Sequence, residues 1–215
     1  MAKRSSRYNY RGECLQSAIP KLLDSIVSKQ IKWMCKQIIS DNQHGFMEQR
    51  STVTNLVVYH TYLLNALENK MQVDAIYTDF SKAFDRVNHK ILLLKLTKLG
   101  FNQQIINWIA SFLSERSQWV KINNFISKNI EVPSGVPQGS HCGPILFLLF
   151  VDDITRCIKS SECLLFADDI KIFKSVGSDS DCFELQLDID ALTNWCQINT
   201  LNLYIKECNK ISFSK

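Results

Sequence analysis

Leu164-Leu165-Phe166-Ala167-Asp168-Asp169-Ile170-Lys171-Ile172-Phe173 sets two adjacent carboxylates between two short apolar arms. The second arm alternates apolar and polar residues (Ile170, Lys171, Ile172), the two-residue period of a strand. The stretch is therefore read as a β-hairpin with Asp168-Asp169 at its tip. Aspartate tolerates turn geometry, and the pair is accounted for on that ground alone. Two carboxylates crowded between buried strands also repel each other, and a divalent cation would relieve that repulsion.

A second stretch bears on the choice. Val73-Asp74-Ala75-Ile76-Tyr77-Thr78-Asp79-Phe80 is another strand candidate with Asp79 at its end, followed by Ser81-Lys82-Ala83-Phe84-Asp85. One carboxylate from a strand end and one or two from a hairpin tip form the donor set of a two-cation site. Such a site clamps the attacking and leaving oxygens of an in-line phosphoryl displacement, with the ions about 3.5–4 Å apart. Between the two acidic stretches lies Gly135-Val136-Pro137-Gln138-Gly139-Ser140. In order and spacing, Asp79 with Phe84 five residues on, this loop, and Phe166-Ala167-Asp168-Asp169 resemble the reverse transcriptase palm. The variant is similar to that of non-LTR, LINE-type retrotransposons, the Jockey-like group among them, and the resemblance runs from about Asn9 to the last residue.

The resemblance implies an RNA-directed DNA polymerase, a nucleotidyltransferase acting on an RNA template, a DNA primer and a dNTP. It implies Asp79, Asp168 and Asp169 as catalytic acids. Asp79 and Asp168 would be paired ligands for two Mg2+ ions, or Mn2+, with Asp169 and the Phe80 backbone carbonyl in support. Hard oxygen donors suit Mg2+, which takes one or two carboxylates plus substrate phosphates. It implies Phe84 as a steric gate where a 2′-hydroxyl would sit; a core Phe beside Ala83 is the plainer reading. Arg11 would grip the triphosphate, with Lys82 neutralising phosphate, although a lysine beside acids is commonly only solvated. Gln138 and Gly139 would contact template and incoming nucleotide, Phe166 the nucleic acid, and Arg50 the template backbone. Asp85, Arg86 and His89 are expected to pair locally.

Two positions depart from the family pattern in Leu201-Asn202-Leu203-Tyr204-Ile205-Lys206-Glu207-Cys208: Tyr204 and Glu207 stand where Asn and Lys are common. Cys142 also replaces a usual Leu, a change that packing tolerates. The chain stops at Lys215, where the family continues into a primer grip and thumb. The thumb is therefore expected to be absent, with weak, salt-sensitive binding and little or no extension by the isolated chain. A truncated, inactive remnant or nucleic-acid-binding module derived from such an element is the rival reading.

Composition sets the outer bounds. At 215 residues, 46% of them apolar, the chain supports a substantial core. A net charge of +4 is compatible with nucleic acid and too small to argue for it. The eight cysteines form no Cys-x-x-Cys pair, and the four histidines complete no zinc pattern, so no structural zinc is expected. Buried thiols in a reducing compartment fit an intracellular protein of cytoplasm and nucleus, not a secreted one. Lys3, Arg4, Arg7 and Arg11 are followed by no apolar stretch, which excludes a signal peptide there. Ile145 to Val151 is strongly apolar but too short to span a bilayer, so no membrane is expected and a buried helix is.

The remaining chain reads as helices and short strands intermixed. Pro20 suits a first helical turn, with Leu23, Ile26, Val27, Ile31, Met34, Cys35 and Ile38 as a core face. Gln43 to Phe46 reads as a turn. A second helix is expected from Ser51 to about Lys70, with Leu56, Val57, Leu63, Leu64 and Leu67 inward and His60 a packed or surface residue. His89 to Leu99 stops at Gly100, and Asn102 caps the next helix. A hairpin over 118–132 turns near Asn123-Asn124, with one face solvated. Pro144 opens the apolar helix. Asp181 and Glu184 read as a capping pair for a helix carrying Leu185, Ile189, Leu192 and Cys196, and Ile211 to Phe213 as a last strand. The expected architecture is α+β: a polymerase palm, an antiparallel sheet backed by helices, over 71–215, with a partial fingers region over 1–70.

Overall fold

The computed structural model of the protein describes residues 14–214. Arg11 lies outside the described residues.

The chain carries α1 (Ala18–Cys35), α2 (Thr52–Glu68), β1 (Gln72–Thr78), α3 (His89–Lys98), α4 (Gln103–Leu113), β2 (Ser117–Gln118), β3 (Lys121–Ile122), β4 (Phe125–Ile126) and β5 (Ile130–Glu131). It continues through α5 (Cys142–Val151), β6 (Glu162–Phe166), β7 (Asp169–Val176), α6 (Asp179–Ile198) and β8 (Asn209–Phe213). The main sheet has the order β6-β7-β1-β8, and every neighbouring pair is antiparallel. This is the expected antiparallel palm sheet.

Successive residues of a strand point to opposite faces, and both faces of this sheet are covered. On one side, Cys163, Leu165, Ile170 and Ile172 join the main core around α5. On the other, Val73, Ala75, Leu164 and Phe173 pack against Tyr59, Leu63 and Ala66 of α2. The α5 helix has no polar face, and its residues from Ile145 to Val151 are all buried. Its N-terminal amides find a partner in Asp24, only 1% exposed. The Asp24 carboxylate accepts from the His141 N–H at 2.7 Å and the Cys142 N–H at 3.0 Å. A carboxylate at a helix N-terminus satisfies orphan donors and matches the helix dipole. Cys142 is itself buried, and desolvation pushes its thiol well above the ordinary range.

Several expected faces are displaced. In α1, Ile31 and Cys35 are buried as expected, with Val27, Met34 and Ile38 packed against the core, but Leu23 and Ile26 are exposed; Asp24 and Ser28 turn inward in their place, because Asp24 serves α5. In α2, Leu56, Val57 and Leu64 are exposed, and Asn55, Tyr59, Leu63 and Ala66 face the sheet. Apolar residues surround both helices, so periodicity alone could not select the face. The expected Asp181–Glu184 pair is a Ser178–Asp181 capping box one turn earlier. The Asn123 hairpin forms as expected, but Trp119, Ile122, Phe125 and Ile126 are all exposed, so neither of its faces is covered among the described residues. The helix over 89–98, the Asn102 cap and the strand at 209–213 form where expected.

Candidate active site

The hairpin at 162–176 forms, but its turn is Ala167-Asp168, since Phe166 pairs with Asp169 across it. Asp169 is thus the first residue of β7 and not part of the tip. Ala167 takes φ +58°, a left-handed conformation that costs a residue with a Cβ.

The neighbouring strand brings Asp79 to the same place. The β1–β7 ladder runs as far as Thr78 and Ile170, which adjoin Asp79 and Asp169 in sequence. Opposite residues in such a ladder share a face. Tyr77 and Lys171, the next pair in, lie under α2. The Asp79 carbonyl accepts from the Tyr204 N–H at 2.8 Å, and Phe80 forms a bridge with Leu203. These bonds hold the strand end in place and bring the 3-10 turn at Ile205–Glu207 to the rim.

An open cleft of about 460 Å³ runs between the N-terminal turn of α2 and this part of the sheet. Asp79, Asp169, Lys171, Phe166 and Glu207 line it. The Asp169 carboxyl is held above the ordinary aspartate range, first by desolvation against the cleft walls, then by Asp168, Asp79 and Glu207; Lys171 opposes the shift. Asp79, Asp168 and Glu207 therefore all lie within electrostatic reach of Asp169. Burial lowers the proton affinity of Lys171, whose ammonium stands 4.0 Å from the centroid of the Tyr59 ring. A cation held against an aromatic face here is the local counterweight to the carboxylates.

The donor set fits a hard divalent cation. Carboxylate oxygens are the donors that Mg2+ and Mn2+ prefer, and a cation would relieve the repulsion that raises Asp169. Among the described residues no three His, Cys, Asp or Glu side chains gather tightly enough to hold a metal ion on their own. A cation here would complete its shell with water and substrate phosphate.

A second constellation flanks the first along the chain. Phe84 stacks on Phe147 with centroids 4.5 Å apart and meets Phe46 edge-on at 6.1 Å. Its carbonyl accepts from the Val136 N–H at 2.7 Å, and the Val87 carbonyl from the Gly135 N–H at 2.8 Å. Gly135 is left-handed at φ +82°, and a Cβ there would stand 2.6 Å from the Asp85 carbonyl oxygen. The glycine is what lets the Gly135–Gln138 segment lie against the residues that follow Asp79. The Gln138 side-chain amide donates to the Asp85 carboxylate at 3.2 Å. His89 meets the Gly135 carbonyl at 2.8 Å. Asp85 and His89 thus anchor this loop instead of pairing with each other, since Gln138 and Gly135 offer partners on the facing segment. Gly139, at φ +91°, packs under the backbone of Cys14. Lys82 is exposed at φ +55°.

Arg50 is occupied internally. Its guanidinium donates to the carbonyls of Ser40 at 2.9 Å and Gln43 at 2.7 Å and pairs with Asp41. The structure therefore places it behind the Asn42–Gly45 loop. That loop lies along the edge of β6: the Leu165 N–H donates to the Asn42 carbonyl, and the His44 N–H to the Leu165 carbonyl, both at 2.9 Å. Reading 43–46 as a simple turn missed this role.

The comparisons with known proteins define the class first. The fold is a polymerase palm, shared at TM-score 0.66 with "Structure of telomerase from Candida Tropicalis in complexe with TWJ fragment of telomeric RNA", over 87% of this chain and 33% of that one at 14% identity. The apo form of the same telomerase, truncated from its C-terminal domain, gives 0.64 over 89% of this chain and 41% of that one, also at 14% identity. More particularly, a family model described as "Reverse transcriptase (RNA-dependent DNA polymerase)" matches residues 1–213, and the chain belongs to that family. Its relatives are of the non-LTR, LINE type. "Probable RNA-directed DNA polymerase from transposon BS" of Drosophila melanogaster is 30% identical over 88% of this chain and 22% of its own length. "RNA-directed DNA polymerase from mobile element jockey" of the same organism is 29% identical over 96% of this chain and 24% of its own length. The chain thus spans about a quarter of the length of these relatives. No helix among the described residues is long and apolar enough to cross a membrane.

Proposed function

We propose that this chain is the catalytic palm of an RNA-directed DNA polymerase, adding dNTPs to a DNA primer on an RNA template. The observation that carries the reading is that Asp79 and Asp169 line one cleft and that Asp79 and Asp168 both act electrostatically on Asp169. Asp79 and Asp168 are assigned as the paired metal ligands, with Asp169 and the Phe80 carbonyl in support. Two bound Mg2+ ions would activate the primer 3′-hydroxyl and neutralise the leaving pyrophosphate. The protein's own part is to hold the acids in line and to exclude the wrong sugar. Phe84, braced on Phe147, is assigned as the group that meets the sugar. Gln138 and Gly139 are assigned to the template and incoming base, Phe166 to the nucleic acid at the cleft, and Lys82 and Arg11 to the triphosphate. Arg50 supports the site from behind. Residues 1–70 are assigned to the fingers and 71–215 to the palm.

Single-nucleotide incorporation on an RNA template tests this, in Mg2+ and at low salt, where electrostatic binding of template and primer is strongest. Incorporation by the wild-type chain should be abolished by Asp79→Asn and by Asp168→Asn. Incorporation that survives either substitution refutes the proposal, and none by the wild-type chain decides for the inactive-remnant reading.

A further inference from the structure

The turn that carries Asp168 is held in part from outside its own hairpin. Ala167 sits at φ +58° with a Cβ, and the N–H of the first central residue of a two-residue turn has no partner within its own hairpin. Its partner comes from elsewhere. The Gln43 side-chain carbonyl oxygen accepts from the Ala167 N–H at 3.0 Å and from the Gly45 N–H at 2.7 Å. Two backbone donors fix which way this amide points, because only its oxygen can accept. The amino end then faces the other way, buried and without a hydrogen-bond partner among the described residues. Gln43 is 1% exposed. A buried amide that satisfies two backbone donors and leaves its own donor orphaned is serving those two backbones.

The surroundings lead to the same place. Asn42 and His44 flank Gln43 and clasp Leu165 on both sides of its peptide. The Asn55 side chain of α2 also donates to the Leu165 carbonyl, at 3.3 Å. Arg50 holds the Gln43 carbonyl from outside.

We infer that Gln43 is a positioning residue of the active site: its amide oxygen holds Ala167 in the left-handed conformation that aims Asp168 and Asp169. It touches neither substrate nor metal and acts through the backbone of the turn. The inference rests on the polymerase reading for its consequence, but not for its geometry, and the test separates the two.

The geometry is read in the full chain without any substrate. By NMR hydrogen exchange, the Ala167 amide of the wild-type protein should be protected, although it lies at the centre of a turn. Free exchange there overturns the inference with no variant needed. Gln43→Met keeps the length and removes the acceptor, and should raise Ala167 exchange by about tenfold or more while leaving the exchange of α6 amides unchanged. Gln43→Glu keeps an acceptor and should retain the protection. Adding Ala167→Gly to Gln43→Met relieves the left-handed conformation of its Cβ and should restore function in part.

The consequence is read as single-nucleotide incorporation. Gln43→Met should lower kcat by about 10- to 100-fold, the scale of a misplacement near 1 Å, with the KM for dNTP little changed. Equal loss of protection in Met and Glu variants, or no recovery on adding Ala167→Gly, shows that Gln43 acts by packing and refutes the inference. Protection that follows Gln43 in a chain that incorporates no nucleotide leaves the positioning intact and refutes the polymerase reading instead.

Discussion

Gly45→Ala offers a sharp test of the site's construction. An ideal Cβ on Gly45 would stand 2.3 Å from the Ala167 nitrogen and 3.0 Å from the Ala167 Cα and the Phe166 carbonyl carbon. All three are backbone atoms, so no side chain can swing aside. Ordinary van der Waals contact begins at 3.4 Å, which requires the loop and the turn to part by about 1 Å. Overpacking of this kind costs about 1–3 kcal/mol. At this chain length each kcal/mol lowers Tm by about 2–4 °C. The larger effect is expected on rate. The displaced atoms belong to the turn that carries Asp168 and Asp169, and about 1 Å of misplacement costs up to about 10²-fold. Single-turnover incorporation of one dNTP, set beside a thermal melt, measures both. The reasoning predicts that the rate falls further than the stability loss explains, with the mutant still folded at the assay temperature. A Gly45→Ala protein with wild-type Tm and a rate within a few-fold of normal would show that the loop does not press on the turn.

Three other outcomes follow from the structure. Phe84→Val should admit ribonucleotides better while losing about 1–3 kcal/mol of stability from the Phe147 stack, since half-buried aromatic packing is being removed; unchanged deoxy-to-ribo preference in a competition assay would return Phe84 to the core alone. Glu207→Lys should lower the KM for dNTP by a few-fold, the worth of about 1 kcal/mol at a partly exposed site, because Glu207 adds like charge beside Asp169; an unchanged or higher KM refutes the like-charge argument. Burial opposes ionisation of Asp74, but hydrogen bonds from Lys210, Ser212 and Gln72 outweigh it and hold its carboxyl below the ordinary range. The stability this lends to the β1–β8 pairing is fully present above the ordinary aspartate value and is lost as pH falls through the lowered one. Protection of the Asn209–Phe213 amides, relative to their intrinsic exchange, should therefore fall in acid, with a contribution of about 1 kcal/mol or less because Lys210 is largely in water; the acid limb should vanish in Asp74→Asn, and its persistence there would assign it to another group.

Local signals were legible wherever the chemistry is local. The alternation in Ile170-Lys171-Ile172, the strand leading to Asp79, the Asn102 cap and the unbroken apolar run of α5 each depend on neighbouring residues alone, and all formed, the strand ending one residue earlier at Thr78. The acids were named through the resemblance to the reverse transcriptase palm; the period of the chain by itself showed only a strand end and a hairpin tip. Helix faces were not legible in α1 and α2. Apolar residues there outnumber the places in the core, so the choice of face fell to the partner elements: Asp24 turned in to cap α5, and Tyr59 turned in to meet Phe173. Nor did anything in Gln43-His44-Gly45-Phe46 announce its target. The partner of Gln43 is 124 residues away, brought there only when the 42–45 loop settles on the edge of β6. Folding of the sheet brings Asp79 and Asp169 to one cleft, and it turns a glutamine in an unremarked loop into the support of the turn that carries Asp168.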